Sequence, residues 1–264
     1  GAMSQGAAPH NPMIPAKGAG AVRIWLLIVA AMVYGMILVG GATRLTDSGL
    51  SITEWKPLLG AIPPMNDADW ALAFEKYRTM TAQFHQVNPD MDMAGFQSIY
   101  WWEWGHRQLG RFIGVVFLIP LIAFIATRRT TKALRPHLFI LFALGGLQGL
   151  IGWWMVASGV NSELTTVAPY RLMTHFGLAL LIIAYCFWLW LELGSKRPEA
   201  SSKSFGWASA LLWLVGLQML LGALVAGLDA GRGYTDWPIM GGVFVPKAMW
   251  TLEPGEHVVG LGVT

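Results

Sequence analysis

The residues best suited to chemistry stand at the edges of long apolar runs. In Tyr100-Trp101-Trp102-Glu103-Trp104-Gly105-His106-Arg107-Gln108-Leu109-Gly110-Arg111 a polar connection turns into the apolar run 112–126. On a helix Glu103 and His106 are three apart and share a face, with Arg107 and Arg111 one turn apart beside them. A second stretch, Pro169-Tyr170-Arg171-Leu172-Met173-Thr174-His175, sets another histidine one turn from an arginine. Ionisable groups at the border of a hydrocarbon span are costly, so by default they mark a site. Two level histidines on neighbouring helices can ligate one metal from both sides. Glu103 reads two ways: as the salt-bridge partner of Arg107, or as a carboxylate beside the bound group, able to take protons or stabilise a developing cation.

The elements that must position these residues are membrane helices. The 264 residues are 55% hydrophobic and 12% charged, with a mean hydropathy of +0.49, where soluble domains carry roughly 25% charged residues. Five apolar runs have the length needed to span a bilayer, 22–41, 107–127, 137–157, 171–193 and 206–228. The chain is therefore an all-α polytopic membrane protein. Its net charge of +3 comes from Lys and Arg in short loops, which sets orientation and gives no reason to expect nucleic acid. Cys186 is the single cysteine, so neither an intrachain disulfide nor a cysteine metal cluster is available.

Lys17 and Arg23 precede the first run; Arg128, Arg129, Lys132 and Arg135 join the second to the third; Lys196, Arg197 and Lys203 join the fourth to the fifth. The 158–169 connection has no Lys or Arg. The N-terminus is then cytoplasmic, and the 42–105 connection is external. His106 and His175 fall near the external ends of two parallel helices at similar depth. Paired axial imidazoles in a bundle suit a haem iron, with the macrocycle in an apolar slot between helices. Arg107, Arg111 and Arg171 are candidates to pair its propionates. The ordinary alternative is that interfacial His and Arg reach for lipid headgroups; two histidines at matched depth, each with an arginine within a turn, favour ligation.

Residues 1–21 form a segment expected to be disordered, opening on Gly-Ala-Met ahead of a native Met3. In the external connection Trp70, Phe74 and Tyr77 recur at helical spacing between Asp67 and Phe84, predicting a surface helix that Asn88-Pro89 ends. A second helix is expected to start near Asp92 and continue into the second span. Gly145, Gly146, Gly149 and Gly152 in the third span read as packing residues. Gln148 among them could bond across helices or line a pocket.

An internal repeat runs through this order. Gly40, Gly49, Thr53, Trp55 and Pro64 match Gly222, Gly231, Thr235, Trp237 and Pro246 at one constant offset. The domains expected are a four-helix half over 22–193 and the start of a second copy over 206–264. By that offset the counterparts of His106 and His175 would lie past Thr264, so the second copy is expected to be truncated.

Four stretches carry a family resemblance: Gly-Gly-Ala-Thr-Arg-Leu-Thr-Asp-Ser-Gly-Leu-Ser-Ile-Thr-Glu-Trp-Lys-Pro (40–57), the 100–111 stretch, Gly-Leu-Ile-Gly-Trp-Trp-Met-Val-Ala-Ser-Gly (149–159) and 169–175. They closely resemble haem A synthase, and Asp-Trp-Pro-Ile-Met-Gly-Gly (236–242) resembles the matching motif of its second half. The resemblance implies two pseudo-symmetric four-helix halves, eight helices in all, of which this chain would hold the first half and the first helix of the second. It implies a bacterial inner-membrane enzyme that oxidises a methyl group of haem O to the formyl group of haem A for cytochrome oxidase assembly. His106 and His175 would hold the substrate haem, Glu103 would be the catalytic carboxylate, and a haem b would sit in the second half. Implied partners are haem O synthase and terminal oxidase assembly factors, with lipid or another copy in a homo-oligomer covering the fifth helix. The competing readings are a bis-histidine electron carrier and a non-catalytic haem-binding or oxidase-assembly partner.

Overall fold

The computed structural model describes residues 11–194 and 202–230, with positions 236, 239 and 242–244. Among them five helices are long and apolar enough to cross a membrane: α1 (Ala19–Leu45), α4 (Met93–Ala126), α5 (Arg135–Ala157), α6 (Pro169–Glu192) and α7 (Ser202–Gly227). Two shorter ones, α2 (Asp67–Met80) and α3 (Ala82–Gln86), lie in the connection between α1 and α4. The chain is thus an all-α, multi-pass membrane protein. The second copy of the motif from Gly231 to Pro246 lies largely outside the described residues, as does His257.

Each helix start has a local cause. Asp92 caps the 34-residue α4 by accepting from the Gly95 amide at 2.8 Å, so one helix carries the external stretch straight into the second span. Asn66 caps α2 through the Asp69 amide, and Pro169 opens α6 with the fixed φ a first turn tolerates. α1 begins at Ala19, inside the segment expected to be disordered. The residues before it are tied down: Asn11 Nδ2 donates to the Glu192 carbonyl at 2.9 Å, and Met13 and Ile14 pack on the core.

The surface helix ends earlier than its sequence suggests. It breaks at Thr81, which adopts an extended backbone (φ −125°, ψ 131°) and serves as C-cap of α2 and N-cap of α3. Trp70, Phe74 and Tyr77 then turn one face onto Phe84, Phe96, Ile99 and Tyr100. This small external core seats the helix pair on the outer part of α4.

In the bundle α1 packs against α4 and α6, α5 packs against α6, and α7 packs against α6; α5 touches α4 least. Helices α4 and α6 therefore stand on a diagonal. Val22, Leu26, Val29, Leu134, Leu138, Cys186 and Leu189 fill the half of the core nearest the start of α1 and the α4–α5 connection. Trp25 adds a bond from its indole N–H to the Val116 carbonyl at 2.9 Å. Both histidines lie toward the opposite end, near the end of α1 and the start of α6.

Candidate haem-binding site

His106 comes from α4 and His175 from α6, the diagonal pair, so the two imidazoles approach the bundle axis from opposite sides. Each ring rests on a glycine of an intervening helix. A Cβ on Gly40 of α1 would stand 3.1 Å from His106 Nε2, and one on Gly152 of α5 would stand 2.8 Å from His175 Cε1. Gly40 lies five residues before the end of α1, Gly152 five before the end of α5, and His175 six after the start of α6. At 1.5 Å per residue all three sit about 8–9 Å inside the helix ends, which sets the rings at one depth. His175 Nδ1 is buried without a hydrogen-bond partner.

These observations fit a haem between the two histidines. Imidazole is a suitable iron donor, and the glycines give the rings room. Among the described residues there is no group of three or more His, Cys, Asp or Glu that could hold a metal ion.

Glu103 is 3% exposed and accepts three hydrogen bonds. Arg107 NH2 donates to Oε1 at 2.5 Å, and Ser51 Oγ and the Ile52 amide donate to Oε2 at 2.8 and 2.7 Å. The salt bridge that the spacing allows is therefore formed, and the same carboxylate grips the loop after α1. Arg107 extends the grip to the carbonyls of Ile52 (2.7 Å) and Glu54 (3.0 Å). Arg111 continues it to Pro57 (2.7 Å) and Lys56 (3.1 Å). The two arginines expected to face propionates thus each give two hydrogen bonds to loop backbone and one to a side chain of α4.

The loop crosses to α5. Leu50 is buried with Val156 and Val167, and Trp55 lies 5.5 Å from Trp153. Arg107 stands over the other side of the contact, 5.9 Å from the Trp153 ring. Held on α4 by ions and on α5 by apolar contacts, residues 50–57 bridge the side where those helices touch least. Glu54 adds an anchor to α2, with its carboxylate 2.9 Å from both Lys76 and Lys56. Lys76 first, and Lys56 after it, hold that carboxyl below the usual glutamate range.

Arg171 has a different setting. NH1 donates to the Trp154 carbonyl at 2.8 Å, the guanidinium stacks 4.6 Å from the Trp154 ring, and Nε is buried without a partner. Residues with no site role legible from the sequence alone complete the site: Ser51 as a donor to Glu103, and Gly40 and Gly152, read there as a repeat residue and a packing residue, as ring seats. Gly152 had a signal in standing level with His175; nothing in its type separated it from Gly145, Gly146 and Gly149, which have nothing within 4 Å of where a Cβ would be. A separate open cleft of about 340 Å³ between Thr79–Gln86 and Asn161–Glu163 lies on the external loops and includes His85, but brings in no site residue.

Similarity to known proteins agrees with this geometry. A family model described as cytochrome oxidase assembly protein, COX15-CtaA, matches residues 23–259. The chain is 57% identical over 233 residues to "Heme A synthase" of Hyphomonas neptunium, covering 86% of this chain and 65% of that protein. It is 52% identical over 260 residues to "Heme A synthase" of Paracoccus denitrificans, covering 95% and 68%. A third relative of that name, from Caulobacter vibrioides, is 56% identical over 227 residues, covering 85% and 66%. The chain thus spans about two thirds of the length of the curated relatives it matches. No solved structure matches it. With a family match along most of its length and relatives at this identity, the chain belongs to the COX15-CtaA family of cytochrome oxidase assembly proteins.

Proposed function

We propose that this chain carries the substrate-binding half of a haem A synthase, in which His106 and His175 hold haem O while one of its methyl groups is oxidised to the formyl group of haem A. The observation that carries the reading is the pair of level imidazoles on diagonal helices, each seated on a glycine. The bound haem supplies the redox chemistry through its iron. The chain's own residues bind, orient and exclude water. Loop 50–57, clamped between α4 and α5, closes the external mouth of the site. Arg171, with its unpartnered Nε, is the arginine freest to meet a propionate, and Arg107 and Arg111 would have to share donors already on carbonyls.

Glu103 is assigned the catalytic carboxylate, one turn from His106. A proton at Oε2 is accommodated when Ser51 Oγ turns from donor to acceptor, its own hydrogen going to the Ser48 carbonyl at 2.9 Å, so the loop stays gripped. The site lies toward the outer face of a bacterial inner membrane and the N-terminus toward the cytoplasm. Haem O synthase and terminal oxidase assembly factors are the partners that would deliver the substrate and receive the product. Haem b would belong to the second half of the fold, and we assign it no ligand among the described residues.

The test is to purify the chain from cells that make haem O, identify the extracted haem by chromatography, and repeat with His106→Ala. Haem O or haem A that disappears with His106 supports the assignment; haem b alone, or no haem, overturns it. The family's description as an oxidase assembly protein favours a second reading, a haem-binding partner without catalysis. Glu103→Gln, read per haem bound because the substitution also weakens the grip on the loop, separates the two: in a synthase the bound haem is no longer converted to formyl-haem, whereas a carrier or partner holds the same kind of haem with or without the substitution.

A further inference from the structure

Gln148 sits one turn before Gly152 on α5 and has no part in the ligation described above. Its Nε2 donates to the backbone carbonyl of His175, across on α6, at 2.9 Å. A carbonyl only accepts, so the NH₂ group must face it and Oε1 must point away. Oε1 is buried and meets no donor among the described residues. Three other buried side-chain atoms share that condition, Trp104 Nε1, Arg171 Nε and His175 Nδ1. Of the four, Gln148 Oε1 alone is an obligate acceptor. An acceptor inside a membrane span with nothing to accept is a persistent cost, because hydrocarbon offers no replacement. The neighbouring Gly145, Gly146 and Gly149 are exposed on the surface of α5, whereas Gln148 turns toward α6 and the backbone of His175.

An amide oxygen that is buried, fixed by the bond to the His175 carbonyl and one turn from the Gly152 seat of that ring suits a neutral hydroxyl donor. It carries no charge to attract a cation, and an apolar chain would leave it unpaired. Resting on the haem O assignment above, we propose that Gln148 accepts a hydrogen bond from the hydroxyl of the hydroxyalkyl side chain of haem O. Gln148 is then a specificity residue: haem b, with a vinyl group in that place, leaves Oε1 orphaned. A site built to bond a hydroxyl rejects the analogue that lacks it through the unpaired group left behind.

The experiment is an absorption titration of the detergent-solubilised full chain, free of haem, with haem O and separately with haem b. Wild type and Gln148→Leu are compared by the ratio of the two dissociation constants. The farnesyl tail contributes to that ratio in both proteins and cancels in the comparison, as does any general loosening of α5 against α6. The expected result is that Gln148→Leu lowers the preference for haem O about tenfold, the size of one ordinary hydrogen bond. An unchanged ratio overturns the proposal while leaving the haem site intact. Failure of wild type to bind either haem overturns the haem O assignment itself. Should Gln148→Leu misfold, Gln148→Met, which keeps the length of the side chain without its polar atoms, is read the same way.

Discussion

Replacing Gly152 with alanine tests whether the glycine seat positions His175. The new Cβ would lie 2.8 Å from Cε1, 3.4 Å from Nδ1 and 3.5 Å from Nε2 of the imidazole. Reaching an ordinary contact of 3.4 Å requires the ring to retreat by about 0.6 Å, away from α5. Such overpacking costs about 1–3 kcal/mol, against about 0.5–1 kcal/mol gained by removing a helical glycine. Gly149→Ala is the internal control: nothing lies within 4 Å of its Cβ, so only the helix gain applies. Thermal unfolding of the haem-free chain in detergent, followed by circular dichroism, should place Gly152→Ala below wild type and Gly149→Ala at or above it. Haem titration should show roughly five- to hundred-fold weaker binding for Gly152→Ala, since a ligand displaced by half an ångström no longer matches its partner across the axis. Gly152→Ala with the stability and haem affinity of wild type would refute the seat.

Three further outcomes follow from particular contacts. Glu103→Gln offers one acceptor oxygen where the carboxylate offers two, and it sets an NH₂ group against donors. It should cost about 2–4 kcal/mol, read as a lower denaturation midpoint with faster proteolysis in 52–57. Tyr77→Phe removes the hydroxyl that donates to Gln83 Oε1 at 2.9 Å and accepts from Asn88 Nδ2 at 3.0 Å. Two partners under a buried ring are left unpaired, and a loss of about 1–3 kcal/mol should appear in thermal unfolding. Glu54 has its folded carboxyl held below the ordinary value of 4.5, so its contribution is present above that pH and fades as pH falls through the lower folded value. The stability gap between wild type and Glu54→Gln should be small, because the group is more than a third exposed, and should close on acidification below about pH 4.5.

Much of this was legible in the chain because hydrocarbon thickness imposes length directly. Each expected span is found within a few residues, and Asp92 announces α4 by a cap that needs only its own side chain and the Gly95 amide. His106 and His175 stood out in the sequence because polar groups in a span need a reason, and each ring lies against a glycine of another helix. What the sequence could not carry was partnership. Whether Arg107 faces a propionate or the Ile52 carbonyl depends on where a loop 55 residues earlier in the chain folds back. The break at Thr81 is local, but it rests on side-chain bonds that helical spacing does not register: Tyr77, Gln83 and Asn88 close around one hydroxyl. Gly152 differs from Gly149 only by what stands opposite.

The internal repeat extends from residue identity to backbone conformation. α1 ends at Leu45 and α7 at Gly227, which lie at the same offset as the paired motif residues. Two residues on, Asp47 and Asp229 both adopt the left-handed conformation, with φ of 51° and 50°. Aspartate enters that region at a cost, so two independent helices are not expected to choose it at matching positions. Arg44 joins these ends: it bonds the carbonyl of Ala226, 182 residues away, and pairs with Asp229 at 3.2 Å. Ala226 is the repeat counterpart of Arg44 itself. Arg44 therefore meets its own counterpart position where α1 and α7 end, with α6 packed against both helices. The loop after α1 starts beside that point, so the segment that grips Glu103 through Ser51 and Ile52 begins at the contact between the two matched helix ends.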